Sequence, residues 1–258
     1  MSLLLKMLTL SFSISRYFFC KSTACFHLPQ SKGYGTVYDI IRQTTFSRVV
    51  FYNHIWERHP FLYELSIVVW NFPAGRRIYS AVPVGDKDNV LQVGCGTGLF
   101  NRLRPHICTV NLDINEKYLA YGVRHGRFQQ TVCQSVYDLE LEPESFSTVL
   151  FARCFHHIRH QKKALAVCGR VLEPGGRLII FEPVSTQRES FKTRLVNTEM
   201  DGVVYRFHKE TYENYLRSIM PDGFILDRLD FIKTPTVTNY NFRYPHMDAV
   251  AVLMKSGD

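Results

Sequence analysis

The chain has 258 residues, 46% hydrophobic and 14% aromatic, which is ample for one large domain or two small ones with a real core. Its formal charge of +8 is uneven: Lys6, Arg16, Lys21 and Lys32 put +4 into the first 32 residues, leaving the remainder near +4, too mild to argue for a nucleic-acid partner. The seven cysteines are irregularly spaced without a CxxC pair, which argues against a zinc site or disulfide framework and for free thiols in a reducing compartment.

The first stretch, MSLLLKMLTLSFSISRYFFCKSTACFHLPQ, is apolar, Ser-rich and basic. Its longest uncharged run, Met7 to Ser15, is too short to span a bilayer. Three readings stay open. A mitochondrial-type presequence fits the acid-free, basic composition. A secretory signal fits less well, because Arg16 and Lys21 interrupt the apolar run, although Ser22-Thr23-Ala24 resembles a cleavage site. A leader with no address is the third. The expected location is intracellular, cytoplasmic or mitochondrial, with no transmembrane segment and with peripheral membrane contact left open. The expected division is a leader over 1–32, a helical cap over 33–85 and a main domain over 86–258 with a cap insertion at 184–207.

Apolar residues at mixed helical spacing predict one or two helices between Thr36 and Trp70. Pro73, Gly75, Pro83 and Gly85 then punctuate a connector. From there the chain alternates. NVLQVG reads as a strand, GLFNRLRP as a short helix, CTVNLD as a strand and NEKYLAYGVRHG as a helix closed by Gly126. QTVCQS and STVLFAR read as strands, QKKALAVCGRVLEPGG as a helix with a Pro-Gly-Gly stop, and RLIIFEP as a strand. HKETYENYLRSIMPDGF reads as a helix, and FILDRLDFIKT with DAVAVLMKS as an antiparallel hairpin on the sheet edge. The expected fold class is therefore α/β, a Rossmann-like doubly wound, mostly parallel seven-stranded sheet with a C-terminal antiparallel hairpin and an N-terminal helical cap.

Gly94, Gly96 and Gly98 fall between the first strand and its helix, where a doubly wound sheet binds ligands. Without Cβ atoms they let a ligand lie against backbone, and the N–H groups opening the helix accept an anionic group. A dinucleotide site wants G-x-G-x-x-G. Here the spacing is G-x-G-x-G with Leu99 following, which suits a smaller ligand carrying a carboxylate and an amine. Asp113 ends the second strand, 19 residues after Gly94, where a carboxylate accepts ribose hydroxyls. A helix N-cap before INEKYLA is the alternative for it.

VLQVGCGTGLF, VNLDINEKYL, YDLELEPESFSTVLFARCFHHI and ALAVCGRVLEPGGRLIIFEP, in this order and spacing, resemble the motifs of class I S-adenosylmethionine-dependent methyltransferases. The subgroup resembled is the small-molecule one typified by the ubiquinone/menaquinone C-methyltransferases, and the likeness covers roughly Asn89 to Pro183. It implies S-adenosylmethionine as cofactor; from the residues themselves no metal is expected. It implies that Gly94, Cys95, Gly96 and Gly98 hold the methionine part, that Asp113 binds the ribose and that Ile114 lies against the adenine. Ser135, followed by Val136, falls where the family usually supplies an acid to the adenine amino group. Ala152 and Arg153 would line the methionine side. Gln92 stands where the family usually has an acid that helps orient the loop and the cofactor ammonium, so the charge attraction is lost there.

Transfer from an activated sulfonium needs mainly alignment of donor and acceptor, with a general base where the acceptor is a hydroxyl or a ring carbon beside a phenol. FHHIRH puts His156, His157 and His160 after the fourth strand, and His157 is the first candidate for base or acceptor contact, with Glu182 second. Tyr38 and Tyr52 are candidate lid residues. Cys154 follows Arg153 and not proline, so it reads as a structural thiol and not as a cytosine-attacking nucleophile. Trp56, Phe61, Tyr63, Trp70, Phe191, Tyr205 and Phe207 would give the cap an aromatic lining, which suits a small apolar or aromatic acceptor or simply fills the cap's own core. A catalytically inactive cofactor-binding protein of the same fold is the alternative, and a nicotinamide oxidoreductase the third reading.

Overall fold

A computed structural model describes residues 58–71, 75–186, 207–233 and 246–257. The leader, Tyr38, Tyr52, Trp56, Phe191 and Tyr205 lie outside the described residues, as does most of the 184–207 insertion. The elements in chain order are α1 (Pro60–Asn71), α2 (Gly75–Ser80), β1 (Val90–Val93), α3 (Leu99–Leu103), β2 (Thr109–Asp113), α4 (Glu116–Arg124), β3 (Gln130–Cys133), β4 (Phe146–Ala152), α5 (Gln161–Val171), β5 (Leu172–Ser185), β6 (Phe207–His208), α6 (Lys209–Ile219), β7 (Phe224–Lys233) and β8 (His246–Lys255).

The sheet order is β3-β2-β1-β4-β5-β8-β7. β1 to β5 pair in parallel, and β8 runs antiparallel between β5 and β7. The chain order reverses at β1, so β1 and β4 leave a crevice above their carboxyl ends, the place where such sheets bind ligands. The C-terminal pair is the expected edge hairpin, with its second strand inside. An eighth strand, the two-residue β6, adds to the expected seven by pairing with Val184 and Ser185.

Both faces of the sheet are covered, and the central strands show it by strict alternation. Leu91, Val93, Val149, Phe151, Leu178, Ile180, Ala249, Ala251 and Leu253 are buried with α5 and α6 residues such as Leu165, Cys168, Tyr212 and Leu216. Their strand neighbours Val90, Leu150, Ile179, Phe181, Val250 and Val252 are buried on the other face with Ile78, Tyr79, Val82 and Phe100. Period 2 sends successive side chains to opposite layers, and each fully buried Leu, Ile, Val or Phe contributes about 1.5–3 kcal/mol.

Two boundaries differ from the sequence expectation. The stretch read as a connector contains α2, whose Ile78 and Tyr79 are pinned in the core, Tyr79 edge-on to Phe181 at 5.1 Å. Tertiary packing overrides its glycine and basic residues. The helix before Pro174 ends at Val171, and Leu172 to Gly176 form the irregular start of β5, with a register shift opposite Phe146 and Thr148.

Phe128 ties α4 to the loop before α3. It is buried with Cys95 and Leu119. A Cβ on Gly98 would lie 2.7 Å from its ring, and one on Gly122 would overlap it, coming within 2.8 Å of Cζ. Gly122→Ala therefore sets a helix-propensity gain of about 1 kcal/mol against an overpacking cost of about 1–3 kcal/mol. Three overlapping ring atoms place the cost at the upper end, so the variant should melt at a lower temperature than the parent in a thermal denaturation scan; an unchanged or raised Tm would contradict this packing.

Candidate functional site

The site is built at the carboxyl ends of β1, β2, β3 and β4. Gly94, Gly96 and Gly98 have φ of 62°, 57° and 87°, the left-handed region that other residues enter at a cost. Gly94 is doubly constrained, because a Cβ there would lie 2.7 Å from Cβ of Cys154. Cys154 in turn donates its thiol to the Val93 carbonyl at 2.9 Å, and burial pushes its pKa well above the ordinary thiol value. It closes the floor of the loop as an inert thiol.

Asp113, at the end of β2, is buried and holds the loop directly. Its Oδ2 accepts the Gly96 N–H at 2.8 Å and its Oδ1 accepts the Asn115 N–H at 2.9 Å. The Cys95 N–H donates to the Leu112 carbonyl at 3.1 Å, a second tie between loop and strand. The helix N-cap is Asn115, which accepts from Lys117 and Tyr118, so capping does not explain Asp113. Burial raises the Asp113 pKa, and the hydrogen bonds from Asn115, Gly96 and Ile114 oppose that shift. Ile114 follows with 58% of its surface exposed, an apolar side chain left uncovered at the crevice edge.

Gln92 is 2% exposed, and its Oε1 has no hydrogen-bond partner among the described residues. A buried acceptor in that state is costly, and it is the kind of group that an incoming donor satisfies. Ser135 caps the short 3₁₀ turn Val136–Asp138 by accepting the Tyr137 N–H at 3.2 Å, so it and Val136 stand half-buried at the end of β3.

Two of the expected site residues, Arg153 after β4 and Glu182 on β5, are engaged within the fold. Arg153 has a left-handed φ of 59°, but its guanidinium is committed to Asp248 on β8 and lies 5.2 Å over the Phe181 ring. Ala152 beside it is half-buried. Glu182 is fully enclosed: Oε1 accepts the Phe155 N–H at 2.6 Å, and Oε2 lies 2.5 Å from Nδ1 of His156. It holds a turn and meets no solvent. His157 is half-buried, its ring centroid 4.0 Å from that of His156.

Sequence reasoning placed Tyr63 among the cap aromatics without its contact to the glycine loop, and missed Glu64 beside it. A Cβ on Gly96 would lie 3.4 Å from the Tyr63 hydroxyl, and the Tyr63 ring stacks on Tyr118 at 4.6 Å. The next residue, Glu64, receives both guanidinium nitrogens of Arg127 at 2.5 and 2.7 Å and Nη1 of Arg102 at 2.8 Å. Arg127 also donates to the Thr97 carbonyl at 2.9 Å. Nothing local in the sequence announces a pairing across 63 residues. A polar cavity of 510 Å³, lined by Asn101, Thr109 and His125 among others, lies toward the amino end of β2, away from the glycines.

With this geometry in place, comparison with known proteins is decisive. Residues 91–180 match the family described as Methyltransferase domain. Residues 91–180 of the chain thus form a methyltransferase domain. The methyltransferase is 24% identical over 186 residues to the demethylmenaquinone methyltransferase of Thermotoga maritima, covering 70% of this chain and 73% of that one. It is 24% identical over 171 residues to the ubiquinone biosynthesis O-methyltransferase of Maricaulis maris, covering 59% of this chain and 62%, less than two thirds, of that relative. In fold it is similar to the 1,6-didemethyltoxoflavin-N1-methyltransferase of Burkholderia thailandensis, with a TM-score of 0.53, 17% identity and coverage of 88% and 94%; that protein holds 1,6-didemethyltoxoflavin and S-adenosylhomocysteine. The cofactor is S-adenosylmethionine. The positive-φ glycine loop, the orphaned Gln92 oxygen and the Asp113 carboxylate are features that fit it. Among the described residues no helix is long and apolar enough to cross a membrane.

The Glu64 clamp has a pH signature. Burial pushes the Glu64 pKa up, but hydrogen bonding and charge from Arg127, with charge from Arg102, outweigh burial and hold it below the ordinary 4.5. A depressed carboxyl contributes stability that is full above 4.5 and fades as pH falls through the folded value. Arg127→Ala leaves Glu64 with the more exposed Arg102 and should cost about 3 kcal/mol, the lower end for a broken buried pair. The variant should melt earlier than the parent at pH 7, and the gap should narrow below pH 4.5; an equal gap at both pH values would contradict the clamp.

Proposed function

We propose that this methyltransferase moves the methyl group of S-adenosylmethionine to a small apolar or aromatic acceptor of the hydroquinone class. The observation that carries the cofactor half is the Asp113 carboxylate on the Gly96 N–H at 2.8 Å, beneath three left-handed glycines. The acceptor half is supported by the relatives' names, one acting on demethylmenaquinone and one in ubiquinone biosynthesis.

In this reading Gly94, Cys95, Gly96 and Gly98 cradle the methionine part with bare backbone. Asp113 accepts the ribose hydroxyls, exchanging a loop N–H for them. Ile114 offers its exposed apolar surface to the adenine, and Ser135 with Val136 borders the base. Gln92 supplies its unpartnered oxygen toward the ammonium. Ala152 and the backbone of Arg153 border the methionine side from β4. When bound, S-adenosylmethionine supplies a methyl group already activated on a sulfonium. The chain's own work is then to align the acceptor, exclude water beneath Tyr63 and receive the proton that a phenolic acceptor loses. His157, half-buried above the end of β4, is the residue proposed to meet the acceptor.

Two measurements test this reading. With S-adenosylmethionine, the full chain should release S-adenosylhomocysteine on a reduced short-tailed demethylnaphthoquinol and not on tRNA. Tight cofactor binding without turnover across a panel of hydroquinones and phenols would sink the acceptor class and favour the inactive cofactor-binding reading. Gln92→Glu should separate two effects: a buried carboxylate lowers the Tm of the free chain, while pairing with the cofactor ammonium tightens S-adenosylmethionine binding by about tenfold. Unchanged affinity with a lowered Tm would remove Gln92 from the cofactor site.

A further inference from the structure

One position on β5 breaks the pattern of its face. Leu178, Ile180 and Val184 are fully buried against α5 and α6, and Glu182 falls between them at the same parity, with 0% exposure. An acid in an apolar row is costly unless its oxygens are bonded. Both are, and both bonds go to the turn after β4: the Phe155 N–H at 2.6 Å and His156 Nδ1 at 2.5 Å. Tyr212 on α6, with Cys154, Arg153 and His157 beside the turn, faces the same carboxyl, and Asp248 and Tyr79 stand behind Arg153 on the other face of the sheet. Burial pushes the Glu182 pKa up to about 8 and the His156 pKa down to about 3. Burial thus favours the neutral form of each group, and one hydrogen bond joins Oε2 to Nδ1.

We propose that Glu182 is a positioning residue for methyl transfer: its carboxyl group fixes the Phe155–His157 turn and thereby sets His157 at the mouth of the acceptor site. The inference rests on the reading of His157 as the acceptor contact. Glu182 itself is enclosed and meets no acceptor. Its control over His157 is direct in space. The His157 ring packs on the His156 ring at 4.0 Å, and its backbone N–H donates to the Cys154 carbonyl at 2.9 Å, so these two contacts of His157 belong to the turn that Glu182 holds.

The test uses the full chain as parent, Glu182→Gln and Glu182→Ala. Three quantities are read: S-adenosylhomocysteine affinity by calorimetry, the imidazole ¹⁵N resonances of His157, and kcat and KM on the reduced demethylnaphthoquinol. Glutamine keeps both bonds, its oxygen accepting from the Phe155 N–H and its amide donating to Nδ1 of a neutral His156. It should leave the His157 resonances in place and kcat within about threefold. Alanine removes both bonds and should shift the His157 resonances and lower kcat by about tenfold or more, with cofactor affinity changed less than about threefold. An alanine variant with parental resonances and kcat would overturn the proposal. Should that variant not fold, His156→Phe keeps a ring against His157 but removes the bond to Glu182; it should shift the same resonances, and unmoved ones would overturn the proposal equally. If the parent itself gives no turnover, the acceptor reading has failed, and the resonances still decide: moved by alanine and held by glutamine they support the role of Glu182, unmoved by both they end it.

Discussion

The site hangs on one carboxylate. Asp113 ends β2 and reaches sideways to the Gly96 N–H, while its second oxygen takes the Asn115 N–H that opens α4. Two hydrogen bonds to a buried carboxyl group thus join the carboxyl end of one strand, the loop of its neighbour and the start of a helix. The Cys95 N–H on the Leu112 carbonyl and Arg127 on the Thr97 carbonyl hold the loop as well, while its glycines at positive φ supply freedom and no packing. Cys154 below, Tyr63 above and Phe128 beside it fill the space that three missing Cβ atoms leave. A ligand that replaces the Gly96 N–H at Asp113 acts on the same two oxygens, so cofactor binding and loop order are coupled at one residue.

The sheet makes that arrangement rigid. Its central strands are buried on both faces, and alternation sends half of their side chains to each layer. Among the described residues, two acids buried in this core tie down the segment after β4. Asp248 takes Arg153 on the α2 face, and Glu182 takes Phe155 and His156 on the α5 face, so the segment after β4 is gripped from both sides of the sheet. The Glu64 clamp does the same for α1 against α3 and the end of α4. Each is a case in which removing one partner leaves a charge or a polar atom stranded in low dielectric, which makes the arrangement specific more than it makes it stable.

Most strands and the glycine crevice were legible because they rest on local rules. Val90 to Val93, Phe146 to Ala152 and Leu172 to Ser185 are rich in the apolar residues that a doubly covered sheet requires, and glycines at G-x-G-x-G spacing mark the crevice. Asp113 was legible by its place at a strand end. α2 was not, because Gly75 and two arginines hide a helix that exists through the burial of Ile78 and Tyr79. Tyr63 was legible as a cap aromatic, but its contact with Gly96 and the Glu64 clamp were not, because the partners Gly96, Arg102 and Arg127 are distant in sequence. The roles of Arg153 and Glu182 also depend on tertiary pairing: a charged residue at a strand end reads as a site residue until its partner, Asp248 or His156, is seen. Gly122 gave no signal as a packing partner of Phe128, since a glycine within a helical run carries no mark of the ring beside it.

The most direct measurement is a calorimetric titration of S-adenosylhomocysteine into the full chain, with Asp113→Asn and Asp113→Ala beside it. The account predicts binding by the parent with a Kd of about micromolar order, weakened by about 100-fold or more in Asp113→Ala, as the loss of two charge-assisted hydrogen bonds of about 1.5–3 kcal/mol each implies. Asp113→Asn, which keeps one acceptor oxygen, should fall between them. Parental affinity in a folded Asp113→Ala, or no binding by the folded parent, would contradict the claim that this carboxylate and the glycine loop form the cofactor site.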